Sequence, residues 1–341
     1  MHKTTPTPEN WFQKAALRRW AWLAVRLLLA AAIVWGFYAE LFRRNDFAQL
    51  WQLFLQNLAG TKMQWLFWCV LLMPCNWLLE TLKWRKFTQP WSGMNFGQSL
   101  QAVLAGVAAS MLLPNRSGDY LGRWLLAPET QKAKIILATA AGNYCQFLVL
   151  LGMGIPAVLW FGKYASHLQM ENQWELILLA ALILLSLLVL GIVGIPRFLH
   201  HYAANYPPNT WKGGWKYLQY SLDQAQEVVQ HYHRGAFLGG LGYAGLRYGL
   251  YSIQYYTMLR FYGIALPLDA ALAGVGTIYL LQTAIPLPPV VGLLARGEIA
   301  LLVWGIWGGN SLSILAASYT LFVLNLVFPA LLGLIFIVKK S

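Results

Sequence analysis

Charged side chains are scarce in the long apolar stretches of this sequence. Each is a candidate for chemistry, because an ionised group at a bilayer centre costs ~2.5–3.5 kcal/mol even on the gentlest scale. The first group is Arg116, Asp119 and Arg123, in and after the run Leu113-Pro114-Asn115-Arg116-Ser117-Gly118-Asp119. If the chain is helical from Gly118 onward, Asp119 and Arg123 stand four residues apart and can pair, leaving Arg116 to meet a phosphate. The same pair can equally be a structural pin. The second group is Arg296 and Glu298, with Gln282 and Thr283 upstream. Glu298 suits a proton or a lipid ammonium, or else an interfacial carboxylate, and the half-helix start beside it favours an anion. The third is Arg247, deep within an apolar stretch where snorkelling does not excuse it, so a cavity-facing position is expected. Asn143 and Gln146, with Asn76 and Glu80, are candidates to line the same cavity, although amides also serve as interhelical glue.

These residues belong to a chain with 58% hydrophobic and only 11% charged residues and a mean hydropathy of +0.49, too apolar for a soluble domain. An all-α polytopic membrane protein is expected, in one transmembrane domain over 1–341. Six stretches approach the ~20 apolar residues a spanning helix needs: 22–42, 65–82, 135–161, 176–195, 236–262 and 313–338. They are apolar on every face, which excludes alternating barrel strands. Tryptophan and tyrosine flank the spans as headgroup-level anchors. The net charge of +13 is spread through short loops, which points to topology and anionic lipid and away from nucleic acid. Cys69, Cys75 and Cys145 have no ligand spacing, and no Gly-x-x-x-x-Gly-Lys-[Ser/Thr] run is present. No metal, cofactor or direct nucleotide coupling is therefore expected, and no catalytic residue stands out.

Arg18, Arg19 and Arg26 put the basic N-terminus, 1–21, in the cytoplasm of a bacterial-type inner membrane. Lys83-Trp84-Arg85-Lys86 is expected as a cytoplasmic turn, 162–175 as external, and the C-terminus as cytoplasmic. The count closes if 96–126 and 268–306 each enter and leave on one side. Both are broken near their middle, at Pro114 and Gly118 and at Pro286, Pro288 and Gly292, where proline removes a donor and glycine permits reversal. Two broken hairpins, one entering from each side, make an inverted repeat. Residues 22–161 with hairpin 96–126 form its first half, and 236–338 with hairpin 268–306 its second. Ordinary kinked spans, eight or more in all, are the alternative. Between the halves, 197–235 has the spacing of an amphipathic helix on the cytoplasmic face.

The run from Leu113 to Asp119, together with Ile285-Pro286-Leu287-Pro288, resembles the flippase-like transmembrane domain of the lysylphosphatidylglycerol synthase family, which also occurs without a soluble synthase domain. Pro114, Arg116 and Gly118 match in place. Asp119 stands where glutamate is usual, Arg123 comes one residue late, Pro289-Val290 replaces paired glycines, and Glu298 lies further on. The resemblance implies movement of a lipid between leaflets along the two hairpins, with Arg116, Arg123 and Arg247 on phosphate and Asp119 and Glu298 on a counter-charge or proton. The expected partner is an anionic or aminoacylated phospholipid or a polyprenyl-phosphate-linked lipid. A homo-oligomer or a biosynthetic partner enzyme is compatible with that. Two other functions remain open: a membrane-embedded polyprenyl-phosphate or headgroup transferase, and a non-catalytic membrane partner of an envelope enzyme.

Overall fold

The computed structural model describes residues 35, 47–111, 113, 117–128, 131–165, 234–284 and 292–339. The expected spans 22–42 and 176–195 and the amphipathic segment 197–235 lie outside these, save Trp35 and the first two residues of a later helix. So do Pro114, Arg116, Pro286 and Pro288. Among the described residues there is no strand. The helices are α1 (Phe47–Leu58), α2 (Met63–Ser92), α3 (Phe96–Ser110), α4 (Ser117–Leu126), α5 (Lys132–Ala165), α6 (Arg234–Phe261), α7 (Leu268–Ala284), α8 (Leu293–Trp304), α9 (Ser311–Phe322) and α10 (Phe328–Lys339). A π-helical segment, Val323–Val327, joins α9 to α10 without a break in the rod.

Three of these rods are long and apolar enough to cross a membrane: Met63–Ser92, Lys134–Gly162 and Ser311–Lys339. Helix α6 has the length, 28 residues, but its glycines and tyrosines lower its hydropathy. The expected turn at Lys83–Lys86 is corrected. Helix α2 runs straight through it to Ser92, and the reversal comes at Gly93, whose φ of 62° is left-handed. The reason is local: Lys83 Nζ meets Glu80 Oε2 one turn back at 2.6 Å, so its charge is matched inside the helix and gives it no cause to leave.

Each broken region gives two described helices that pack on each other, α3 with α4 and α7 with α8. Asn95 caps α3 in a capping box with Gln98, which satisfies two of the amides left open at a helix start. The arms have 15 and 10 residues in the first hairpin and 17 and 12 in the second. At ~1.5 Å per residue each arm falls short of a ~30 Å hydrocarbon core. Glycine lets the first pair of arms touch. A Cβ on Gly118 would overlap the Ser110 amide, and one on Gly122 would overlap the Ala105 carbonyl. Gly122→Ala is therefore expected to destabilise the protein by about 2 kcal/mol or more through forced separation of the arms. The control is Gly245→Ala, where a Cβ would meet nothing within 4 Å. Unfolding midpoints in detergent check this, and an equal midpoint for the two variants would contradict the packing.

The pattern long helix, hairpin, long helix occurs twice, as α2–α3–α4–α5 and α6–α7–α8–α9/α10. The leading helices α2 and α6 pack antiparallel. Trp65 carries Arg260 over its ring, the Cys69 carbonyl accepts from Gln254, Asn76 and Glu80 hold Arg247, and Phe87 fills the space over Gly240. The outer arms interlock crosswise. Gly154 of α5 and Gly276 of α7 face each other's helices, and Gly333 of α10 sits on the Leu104 backbone of α3. Each hairpin's first arm thus leans on the last helix of the other half.

Candidate functional site

The midpoint of the α2–α6 pair is where the buried charges meet. Asn76, Glu80 and Lys83 stand at i, i+4 and i+7 of α2, one face of a helix, and all three are buried. Glu80 is the hub. Its Oε1 accepts from Arg123 Nη2 of α4 at 2.8 Å, and its Oε2 from both Lys83 Nζ and Arg247 Nη1 of α6 at 2.6 Å. Arg247 Nε donates to Asn76 Oδ1 at 2.8 Å. Gln146 Oε1 of α5 lies 3.4 Å from both Lys83 Nζ and Arg247 Nη1. One carboxylate therefore joins the first hairpin, α2 and α6, with α5 at its margin.

Aromatic faces wall the cluster. The Arg247 guanidinium lies over Trp77 and Tyr251, each at 5.3 Å, and that of Arg123 over Trp84 at 5.4 Å. Cation–π attraction is strengthened by such desolvation. Trp84 is itself anchored, its Nε1 donating to Thr139 Oγ1 at 3.2 Å. Gly106 of α3 leaves the room that the Arg123 side chain occupies. The expected Asp119–Arg123 pair is loose, at 3.9 Å, because Arg123 turns to Glu80. Asp119 accepts instead from Ser110 Oγ at 3.0 Å, which latches the two arms of the hairpin.

The cluster is unbalanced. Among the described residues it holds three cations, Lys83, Arg123 and Arg247, against two carboxylates, Glu80 and Asp119, and each of these five side chains is at least nine-tenths buried. Donors are in surplus too: Arg123 Nε and Nη1 and Asn76 Nδ2 are buried and reach no acceptor among the described residues. Spare buried N–H groups and a spare positive charge are the features that an anion could satisfy.

The remaining candidates lie elsewhere. Arg296 donates to Gln282 Oε1 at 3.1 Å, bridging the arms of the second hairpin, and its guanidinium lies over Phe322 of α9 at 5.5 Å. Glu298 is exposed and belongs to neither group. Asn143 lies one turn before Gln146, its Oδ1 buried without a partner among the described residues. Gly118 is a packing residue within α4, and Gly292 caps α8. Lys83 was hidden from sequence reading by its place in a basic run. The signal was Glu80 three residues earlier, the spacing of a helical ion pair. No family model, no curated protein and no solved structure matches the chain.

Proposed function

We propose that this chain is a lipid transporter that passes an anionic headgroup between leaflets, in keeping with the resemblance to the flippase-like domain of the lysylphosphatidylglycerol synthase family. The observation that carries this reading is the surplus of cations and unmet donors around Glu80. A phosphodiester would supply the charge and the acceptors that the cluster lacks, and leaving a buried charge unpaired costs several kcal/mol.

Its position supports the same reading. In a bundle that spans the membrane along the whole of α2 and α6, the middle of that pair, where Glu80 meets Arg247, falls near the midplane. The two hairpins, with arms too short to cross, are then re-entrant. The antiparallel α2–α6 pair is what an inverted repeat of two halves produces, and such repeats place substrate at their interface, lined by broken helices. A headgroup needs a polar route while its chains stay in hydrocarbon; the first hairpin brings Asp119 and Arg123 to the Glu80 cluster, and the second carries Gln282 and Arg296.

The test is reconstitution of the full chain in liposomes containing fluorescent phosphatidylglycerol, phosphatidylcholine or an aminoacylated phosphatidylglycerol, with an impermeant quencher reporting leaflet exposure. Protein-dependent exposure is expected for the phosphatidylglycerol probes, and faster than for phosphatidylcholine. No movement of any probe, with and without a proton gradient, would overturn transport in favour of a transferase or a partner of an envelope enzyme.

A further inference from the structure

The rod from α9 to α10 is the most hydrophobic of the three apolar rods, and between Thr320 and Lys339 it carries one polar side chain, Asn325. That residue is 2% exposed, and both Oδ1 and Nδ2 of its amide are buried without a partner among the described residues. An amide left this way costs ~1–3 kcal/mol. It also sits in the π-helical segment, a distortion that recurs at functional sites. This segment packs on α2, and Val323, Leu326 and Val327 share an apolar cluster with Trp77.

Asn325 has a counterpart in the first half. Gly154 and Gly333 are the glycines at which α5 and α10 meet the first arm of the opposite hairpin. Gln146 stands eight residues before the one, and Asn325 eight residues before the other. Gln146 already faces Lys83 and Arg247. On the side of Asn325, Phe322 one turn earlier carries the guanidinium of Arg296.

We propose that Asn325 is a second headgroup-binding residue, and that it selects a phosphodiester lipid whose headgroup itself bears a hydrogen-bond donor. The reading rests on the lipid-transport function above. The amide suits such a group on both counts: Nδ2 donates to a phosphate oxygen, and Oδ1 accepts from a headgroup hydroxyl or ammonium N–H. A choline headgroup has no donor to offer it.

The full chain in detergent, titrated with dioctanoyl-phosphatidylglycerol and dioctanoyl-phosphatidylcholine and followed by its unfolding midpoint, tests this. The unmodified protein is expected to prefer the glycerol headgroup by about tenfold, the worth of one hydrogen bond of ~1.4 kcal/mol. Asn325→Leu, which relieves an unmet amide, is expected to unfold no earlier without lipid and to lose that preference. Asn325→Ser, which puts one hydroxyl able to donate or accept in place of the amide, is expected to keep part of it and serves should the leucine variant not fold. A leucine variant with its preference intact overturns the proposal, as does equal stabilisation by sn-glycerol 3-phosphate, which has the polar groups without the chains. Failure of the unmodified protein to bind either phospholipid overturns both this and the transport reading. A headgroup preference lost in Asn325→Leu, in a protein that moves no lipid in liposomes, upholds the binding residue and removes transport alone.

Discussion

Glu80→Gln is expected to be the most damaging single substitution in the described core, lowering stability by about 3–5 kcal/mol, the cost of breaking a buried ion pair from one side. The carboxylate accepts from Lys83, Arg123 and Arg247 at 2.6–2.8 Å. Glutamine is close in shape but neutral, and offers one acceptor oxygen where there were two. Three buried cations would then face Asp119 alone. Since total stabilities are about 5–15 kcal/mol, much of the protein should be lost from the monodisperse peak after mild heating in detergent. Glu80→Gln/Arg247→Gln restores the original surplus of one positive charge and is expected to recover part of the loss. The coupling between the two sites would then be ~0.5–3 kcal/mol, in the range for residues in direct contact. A Glu80→Gln protein as heat-resistant as the parent would mean that the ion pairs do not hold α2, α4 and α6 together.

That cluster also marks how far the sequence could be read. Arg247, Asn76, Glu80 and Gln146 were legible as a common group because a charge or amide in a long apolar run has to face protein, and few partners are available to it. The two broken regions were legible from proline and glycine within otherwise apolar runs. Lys83 was not, because hydropathy averages over a window and cannot tell a basic loop from a helix whose lysine is met by Glu80 one turn back. Nor was the rearrangement at Asp119. The i,i+4 spacing to Arg123 permits a pair, but Glu80, 43 positions away from Arg123 in sequence, competes for the same guanidinium and wins at 2.8 Å against 3.9 Å. Asn325 was invisible for a different reason. A single amide in an apolar helix looks like ordinary interhelical glue until its burial and its unmet atoms are known.

Arg247→Gln is expected to do the opposite of Glu80→Gln: to leave the fold intact and to slow lipid movement sharply. Without Arg247, Glu80 still has Lys83 and Arg123 at 2.6 and 2.8 Å, and two cations balance two carboxylates. The unfolding midpoint should stay level or rise, because the uncompensated buried charge is gone. The same balance removes what an anionic headgroup would bind. A hydrogen bond to a charged group is worth ~1.5–3 kcal/mol, so phosphatidylglycerol movement in liposomes should fall roughly 10- to 150-fold. Arg247→Lys separates charge from geometry. Lysine keeps the charge but is a point donor, and it cannot hold Asn76 through Nε and Glu80 through Nη1 together as the planar guanidinium does. Its expected rate lies between the two, with the midpoint little changed. Transport at the parental rate in a well-folded Arg247→Gln protein would remove the cluster from the lipid path and make it a structural pin between α2 and α6.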